Sequence, residues 1–329
     1  MAKLTLSLAC GGYDRTRALF DGRVQVEGCE IVPLAMSPEE AFHRAFRHEE
    51  FDITELSLSS QMVAVDQGRN AYIGIPVFPS RMFRHSAIYL RPDSGIEKPA
   101  DLAGRIVGLP DYQMTAALWV RGILQHEHGV APSKMRWRAG GLEDAGRVPM
   151  VALNLPTGVE LQALDAADTL SAALAEGRID ALISARAPSC MAGDPRIKRL
   201  FTDYRAVEAA YFAKTGIFPI MHLVGIRRRL AEQHPWLPVA VQKAFQQAKE
   251  LCYAAMENVG SLYTTLPWPV DELEKARSLM GRDFWRYGAA ENAGEIVAIT
   301  QYAFEQGLTK RKLEAGDLFA ASTLALAKV

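Results

Sequence analysis

The chain has 329 residues, 49% of them hydrophobic and 23% charged, with a formal net charge of −1. That length is enough for about two domains of ordinary size, and the even charge balance argues against nucleic acid or an anionic membrane as the main partner, since either favours a strong basic excess. No apolar run approaches the roughly 20 residues that a membrane helix needs, and the four cysteines (Cys10, Cys29, Cys190 and Cys252) form no CxxC pair, so they read as reduced thiols rather than a disulfide framework.

The first element is a strand. Lys3 followed by an apolar stretch ending in Cys10 has the look of a lipoprotein signal, but Leu4, Leu6 and Leu8 alternate with Thr5 and Ser7. Period-two alternation is the mark of a half-buried strand, and the stretch is shorter than the core of a signal peptide. A cytoplasmic location is therefore expected. Ser37-Pro38-Glu39-Glu40 then supplies an N-cap serine, a proline at the first helical position and a capping-box glutamate. Phe42, Ala45 and Phe46 give the apolar stripe of the helix that follows. A short strand is expected over Phe51-Asp52-Ile53-Thr54-Glu55, and a polar loop over Ser57-Leu58-Ser59-Ser60.

The second half repeats this pattern. Arg105 to Leu109 reads as a buried strand, Pro110 to Met114 as a loop, and Thr115 to His128 as a helix ended by Gly129. Thr169 caps a further helix carrying Leu170, Ala173 and Leu174 that stops near Gly177. Ile179 to Ile183 follows as a strand, and Ser184 to Ser189 as a polar loop. Two helix–strand–loop units point to two similar α/β lobes, each offering loops at the C-terminal ends of parallel strands, where open α/β sheets place ligands. Extended segments near 73–91 and 217–227 are placed to be crossovers. The tail is mostly helical, with helices to about Asn258, over Asp271–Met280 and over Glu291–Gln306.

Several stretches together resemble one family. Leu8-Ala9-Cys10-Gly11-Gly12-Tyr13-Asp14-Arg15-Thr16, Glu55-Leu56-Ser57-Leu58-Ser59-Ser60 and Ile75-Pro76-Val77-Phe78-Pro79-Ser80-Arg81-Met82-Phe83-Arg84-His85-Ser86 are similar to segments of the 4,5-dihydroxyphthalate decarboxylases. So are Tyr112-Gln113-Met114-Thr115-Ala116, Arg186-Ala187-Pro188-Ser189 and Thr215-Gly216-Ile217-Phe218-Pro219-Ile220-Met221-His222, in the same order along the chain. The resemblance implies an α/β, two-lobed, type II periplasmic-binding-protein-like fold, with mixed sheets flanked by helices and a helical C-terminal region. Residues 1–90 with 226–329 would form one lobe and 91–225 the other, with the ligand cleft between them. It further implies non-oxidative loss of one carboxylate from 4,5-dihydroxyphthalate to give protocatechuate, no organic cofactor, and a homo-oligomer. The chain departs from the family pattern at Gly12, Asp111 and Ser184-Ala185, which bears on the exact substrate.

Such a reaction needs the carboxylates held, a ring hydroxyl to push electrons, and an acid to protonate the ipso carbon. For holding anions, Arg81, Arg84 and Arg186 lead, because a guanidinium grips a carboxylate through two parallel hydrogen bonds. Ser57, Ser59, Gln113 and Thr115 would add neutral donors, although such residues are also common helix caps. For the acid, His85 and His222 stand out, since imidazole titrates near neutral pH; a structural histidine at the lobe junction is the alternative for each. Glu55 and Asp14 are candidates to accept a ring hydroxyl proton, with Asp14 next to Arg15 equally able to be a local turn and ion pair. Tyr13 and Tyr112 would contact the substrate ring or pack the core.

Other signals carry less. His126-Glu127-His128 does not share a helix face, and His43 and His48 lack a partner fitting a zinc motif. No metal site is expected. The competing functions are a solute-binding protein for an aromatic carboxylate, separable by export and by the absence of a proton donor, and a metal-dependent decarboxylase or hydrolase, separable by bound metal.

Overall fold

The computed structural model of the protein describes residues 3–146 and 155–325. In chain order the strands are β1 (Leu4–Cys10), β2 (Cys29–Ala35), β3 (Ile53–Ser57), β4 (Tyr72–Arg81), β5 (Ile88–Leu90), β6 (Ile106–Leu109), β7 (Arg136–Ala139), β8 (Glu160–Ala163), β9 (Ala181–Ile183), β10 (Lys198–Arg199) and β11 (Ile220–Arg227). The helices that matter for the site are α1 (Arg17–Phe20), α2 (Pro38–His48), α3 (Leu58–Asp66), α4 (Thr115–His128), α5 (Leu170–Ala175) and the long helix Leu237–Glu257. No helix among the described residues is long and apolar enough to cross a membrane.

The chain forms two compact units. The first comprises Met1–Arg81, Ile220–Val297 and Glu314–Val329; the second comprises Met82–Pro219 and Ala298–Leu313. The chain thus leaves the first unit after β4 and returns at β11, earlier at both points than the expected boundaries near 90 and 226. The C-terminal region, expected to lie wholly with the first lobe, divides between the units, because residues 298–313 pack with the second.

Unit 1 is built on a five-stranded sheet of order β2-β1-β3-β11-β4, in which β1 runs parallel to β2 and β3 while β11 runs antiparallel to β3 and β4. Leu6, Leu8, Ile53, Leu56, Val224 and Phe245 are among its buried apolar residues. The cap and proline of α2 are as expected: Ser37 accepts the Glu40 N–H, Pro38 opens the helix, and Ala41, Phe42 and Ala45 are buried, while the Glu40 carboxylate pairs with Arg44 (2.9 Å). Burying a side chain such as Phe42 contributes on the order of 2 kcal/mol. The stretch Ser57 to Ser60 is not a loop. Ser57 ends β3 and is also the N-cap of α3, accepting the Ser60 N–H, so strand passes to helix with no intervening residue.

Unit 2 carries a six-stranded sheet of order β10-β5-β9-β6-β7-β8. Its core gathers Tyr89, Leu170, Leu174, Ile179, Leu182 and Ile197. Thr169 caps α5 through the Ala172 N–H, and Gly129 ends α4 at φ +67°, the left-handed conformation that glycine adopts without steric cost. Strands β2, β7 and β8 and the helix Tyr204–Thr215 went unread in the sequence, whose apolar periodicity is weaker there.

Candidate active site

The site in unit 1 is assembled by strand register. β1 lies parallel to β3 with Leu8 beside Ile53 and Ala9 beside Thr54, so the next residues, Cys10 and Glu55, are neighbours on one face. β11 runs antiparallel with Val224 beside Glu55 and His222 beside Ser57. Diagonal neighbours on a sheet face are within reach of long side chains, and His222 Nδ1 comes to 2.6 Å from Glu55 Oε1.

Glu55 has no exposure to solvent, and an unpaired carboxylate there would be costly. It is surrounded by donors. The Tyr13 hydroxyl donates to Oε1 (2.8 Å), the Gly11 N–H to Oε2 (2.9 Å), and the Cys10 thiol reaches Oε2 at 3.4 Å. Burial alone would push this carboxyl up. The His222 contact, the Gly11 N–H and the Tyr13 hydroxyl outweigh it and hold the group below the ordinary carboxylate range. An ionised Glu55 makes Nδ1 of His222 the donor, which turns the Nε2 edge of the ring away from the carboxylate. Phe42 of α2 meets the same ring edge to face at 4.8 Å.

Burial and the Glu55 charge drive Tyr13 far above its ordinary value, so its hydroxyl stays a donor. The same two causes raise Cys10, which leaves a thiol rather than a nucleophilic thiolate. The loop after β1 is folded tightly to achieve this. Thr16 Oγ1 donates to the Gly11 carbonyl (2.9 Å), and the Tyr13 ring folds back over Gly11 so closely that a Cβ there would sit 2.5 Å from it. Arg15 lies between two rings, 4.3 Å from the Tyr13 centroid and 3.9 Å from that of Trp285, and donates through Nε to the Pro79 carbonyl (2.8 Å). Asp14 pairs with Arg15 at 2.9 Å, the local turn and ion pair that its neighbour allowed.

Glu55, His222 and Tyr13, singled out from the sequence, are thus brought together. Three expectations for unit 1 change. Glu55 is enclosed by four donors and has no exposed surface, so it is not placed to take a proton from a substrate hydroxyl. Arg81 is also fully buried. Its guanidinium is engaged by Glu295 (3.4 Å), by the Arg286 carbonyl (2.8 Å) and by Asn292, which ties the end of β4 to the helix Ala293–Glu305 rather than leaving a grip for a carboxylate. Ser57 and Ser59 are buried in the α3 cap, their hydroxyls 3.3 Å apart.

In unit 2, His85 is packed against the rings of Tyr211 (5.1 Å) and Phe201 (5.5 Å), with Glu208 4.0 Å away. Burial lowers it to about 4, so at neutral pH it is an uncharged imidazole, not the cationic acid expected. Arg84 is buried nearby and is lowered by burial to about 10, which leaves it charged. Tyr112 is a packing residue: it is 1% exposed, with the Arg121 guanidinium 3.7 Å from its ring centroid and Trp137 at 5.9 Å. Gln113 and Thr115 are buried in the same strand-to-helix turn, where Asp111 accepts the Gln113 N–H (3.1 Å). Arg186 is exposed on the loop after β9, its N–H donating to Ser184 Oγ (3.2 Å).

Sequence reasoning missed Cys10 as a donor, Phe42 as a ring neighbour, the Arg15–Trp285 clamp, and Arg121, which donates to the Tyr112 carbonyl (2.6 Å) and Gln306 (2.7 Å). Counting register from a β1–β3 pairing would have found Cys10; nothing local announces Trp285. Among the described residues, no cluster of three or more His, Cys, Asp or Glu side chains could hold a metal ion.

No family model matches the chain. It is 46% identical over 330 residues to the 4,5-dihydroxyphthalate decarboxylase of Comamonas testosteroni, covering all of both chains. It is 46% identical over 213 residues to that of Pseudomonas putida, covering 64% of this chain and 83% of the relative. Among solved structures it is similar to the periplasmic aliphatic sulphonate binding protein SsuA of Escherichia coli (14% identity, TM-score 0.51, 98% and 99% of the two chains). A mutant of the desulfurization enzyme DSZB in complex with biphenyl-2-sulfinic acid is as similar (15% identity, TM-score 0.52, 98% of each chain). These likenesses establish the periplasmic-binding-protein-like α/β fold.

Proposed function

This chain belongs to the 4,5-dihydroxyphthalate decarboxylase family, and from that premise we propose that it converts 4,5-dihydroxyphthalate to protocatechuate with His222 as the proton donor. In this diacid each carboxylate is para to one hydroxyl. Electron release from that hydroxyl raises the basicity of the ipso carbon, which takes a proton from Nε2 of His222. The ring is then dearomatised. Cleavage of the bond to the carboxylate returns its electron pair to the ring and releases CO2, so one proton enters for each CO2 that leaves.

The observation that carries this reading is the 2.6 Å contact between His222 and a fully buried Glu55. The carboxylate fixes the ring through Nδ1 and presents Nε2 outward, the edge from which a general acid would give its proton. Glu55 acts through His222, and Tyr13 acts through Glu55. Anion holding by Arg84 and Arg186 is part of the same proposal, supported by the family segments in which both lie. Work in the cytoplasm and as a homo-oligomer also belongs to it; the four free thiols fit a reducing compartment.

The test is to incubate metal-stripped protein with 4,5-dihydroxyphthalate in D2O and to follow CO2 release and product mass. Conversion to protocatechuate bearing one deuterium at the vacated carbon is expected. Tight binding with no turnover would instead favour a solute-binding function.

A further inference from the structure

Trp285 lies in the segment that precedes the helix Ala293–Glu305, far in sequence from every residue of the Glu55 cluster, yet three hydrogen bonds fix its position. Its indole N–H donates to the Phe78 carbonyl (2.8 Å) and its backbone N–H to the Tyr253 hydroxyl (2.9 Å). Its carbonyl accepts from Lys249 (3.1 Å), whose ammonium also pairs with Asp283 at 2.7 Å. Lys249 is 1% exposed, and Asp283 also accepts the Tyr253 hydroxyl (3.2 Å). A buried lysine is retained only when paired and hydrogen-bonded, and here Lys249 bonds to Asp283 and the Trp285 carbonyl, both in the segment that carries Trp285. The long helix Leu237–Glu257 is therefore a rigid anchor for one indole.

Arg15 is a cationic neighbour of that indole. The guanidinium lies against Trp285 on one side and Tyr13 on the other, while Nε and Nη2 both donate to the Pro79 carbonyl. Stacking of this kind is worth about 0.5–2 kcal/mol and fixes orientation. The contacts run without a break from Lys249 through Asp283, Tyr253, Trp285, Arg15 and Tyr13 to Glu55 and His222.

We propose that Trp285 is a positioning residue for the decarboxylation, holding Tyr13 on Glu55 through Arg15 and so maintaining the ionised carboxylate that orients His222. This rests on the proposed function only for its kinetic consequence; the positional claim stands on unit 1 alone. The titratable or charged groups around Glu55 are Cys10 and Tyr13 from β1 and its loop, Arg15 behind Tyr13, and His222 from β11. Of these, Arg15 is the one seen stacked on Trp285.

The experiment compares Trp285→Ala, Trp285→Phe, Tyr13→Phe and the Trp285→Ala/Tyr13→Phe double variant. Two readouts are used: the pH profile of kcat, and the NMR resonance of the His222 Nδ1 proton without substrate. Losing the Tyr13 donor raises Glu55, so activity that needs the carboxylate should fail at a higher pH as pH drops. Trp285→Ala is expected to lower kcat about tenfold, the size of one hydrogen bond to a charged group, with KM nearly unchanged. It should shift the acid limb upward and move the Nδ1 resonance, as Tyr13→Phe does. The double variant should be no worse than Tyr13→Phe, and Trp285→Phe, which keeps a face for Arg15, should recover most of the loss. Multiplicative losses in the double variant, or an acid limb and resonance left at wild-type positions, would overturn the proposal. If Trp285→Ala does not fold, Arg15→Lys removes the planar stack and is read in the same way. If the wild type does not decarboxylate the diacid, the functional reading fails, and the resonance still decides whether Trp285 controls the cluster.

Discussion

His222 and Glu55 are 167 residues apart in sequence, yet their side chains meet at 2.6 Å, with the carboxylate wholly buried and three further donors closing on it. The contact joins two strands that run in opposite directions, so neither strand alone carries the site. In the proposed reaction it also divides the work: His222 would give the proton, and Glu55 would hold the ring that gives it.

Replacing His222 by glutamine should abolish most turnover, by about 10²–10⁴-fold, the usual contribution of a general acid. Substrate affinity by calorimetry should change little. A variant that retains wild-type kcat would remove His222 as the donor.

Glu55→Gln keeps the shape and removes the charge. Because the folded-state value of Glu55 lies below its unfolded value, its ionisation stabilises the fold above the ordinary carboxylate range, and that stability is lost as pH falls through the lower folded value. Losing a hydrogen bond to a buried charged group costs about 1.5–3 kcal/mol. Urea unfolding followed from neutral to acid pH should show the variant less stable at neutral pH, with the difference shrinking at low pH. A pH-independent difference would contradict the ionised state assigned here.

Gly11→Ala places a Cβ 2.5 Å from the Tyr13 ring. The ring must move, and its hydrogen bond to Glu55 goes with it. A fall in kcat of about tenfold is expected, similar to Tyr13→Phe and not additive with it. Rates that multiply would mean the two act separately.

His85→Gln should leave kcat within about threefold of wild type, because burial has already lowered this histidine to about 4 and a neutral ring has no proton of the required acidity to give at pH 7. A loss of a hundredfold or more would return His85 to the chemistry.

The two arginines of the Arg81–Arg84 segment should separate. Arg81→Met removes a wholly buried guanidinium from Glu295 and Asn292 and should lower the thermal midpoint by several degrees. Its KM should stay within about threefold. Arg84→Ala should chiefly raise KM. Equal effects of both changes on KM would place Arg81 back at the substrate.

Much of this was legible in advance. Alternation gave β1, capping chemistry gave α2, α4 and α5, and the family segments pointed to Glu55, His222 and Tyr13. What sequence could not supply was direction. Arg81 and Arg84 look alike in one motif, but only the fold reveals that Arg81 turns to Glu295. His85 and His222 were indistinguishable as residue types; burial among Tyr211 and Phe201 separates one from the other. The run Ser57-Leu58-Ser59-Ser60 looked like a polar loop because serines favour turns, yet one of them was the cap that started α3. Trp285 had no local signature, since its partners lie at positions 15, 78, 249 and 253.

The place of β11 between β3 and β4 has a consequence for the birth of the protein. β3 and β4 are finished more than a hundred residues before β11 is made, and each must wait with an open edge for the strand that will separate them. A ribosome moving at about 5–20 residues per second leaves those edges exposed for roughly 7 to 28 seconds. Unpaired edges invite pairing with another chain, so nascent chains that stop short of residue 220 should be the ones that aggregate. The strand that ends this exposure is also the one that carries His222.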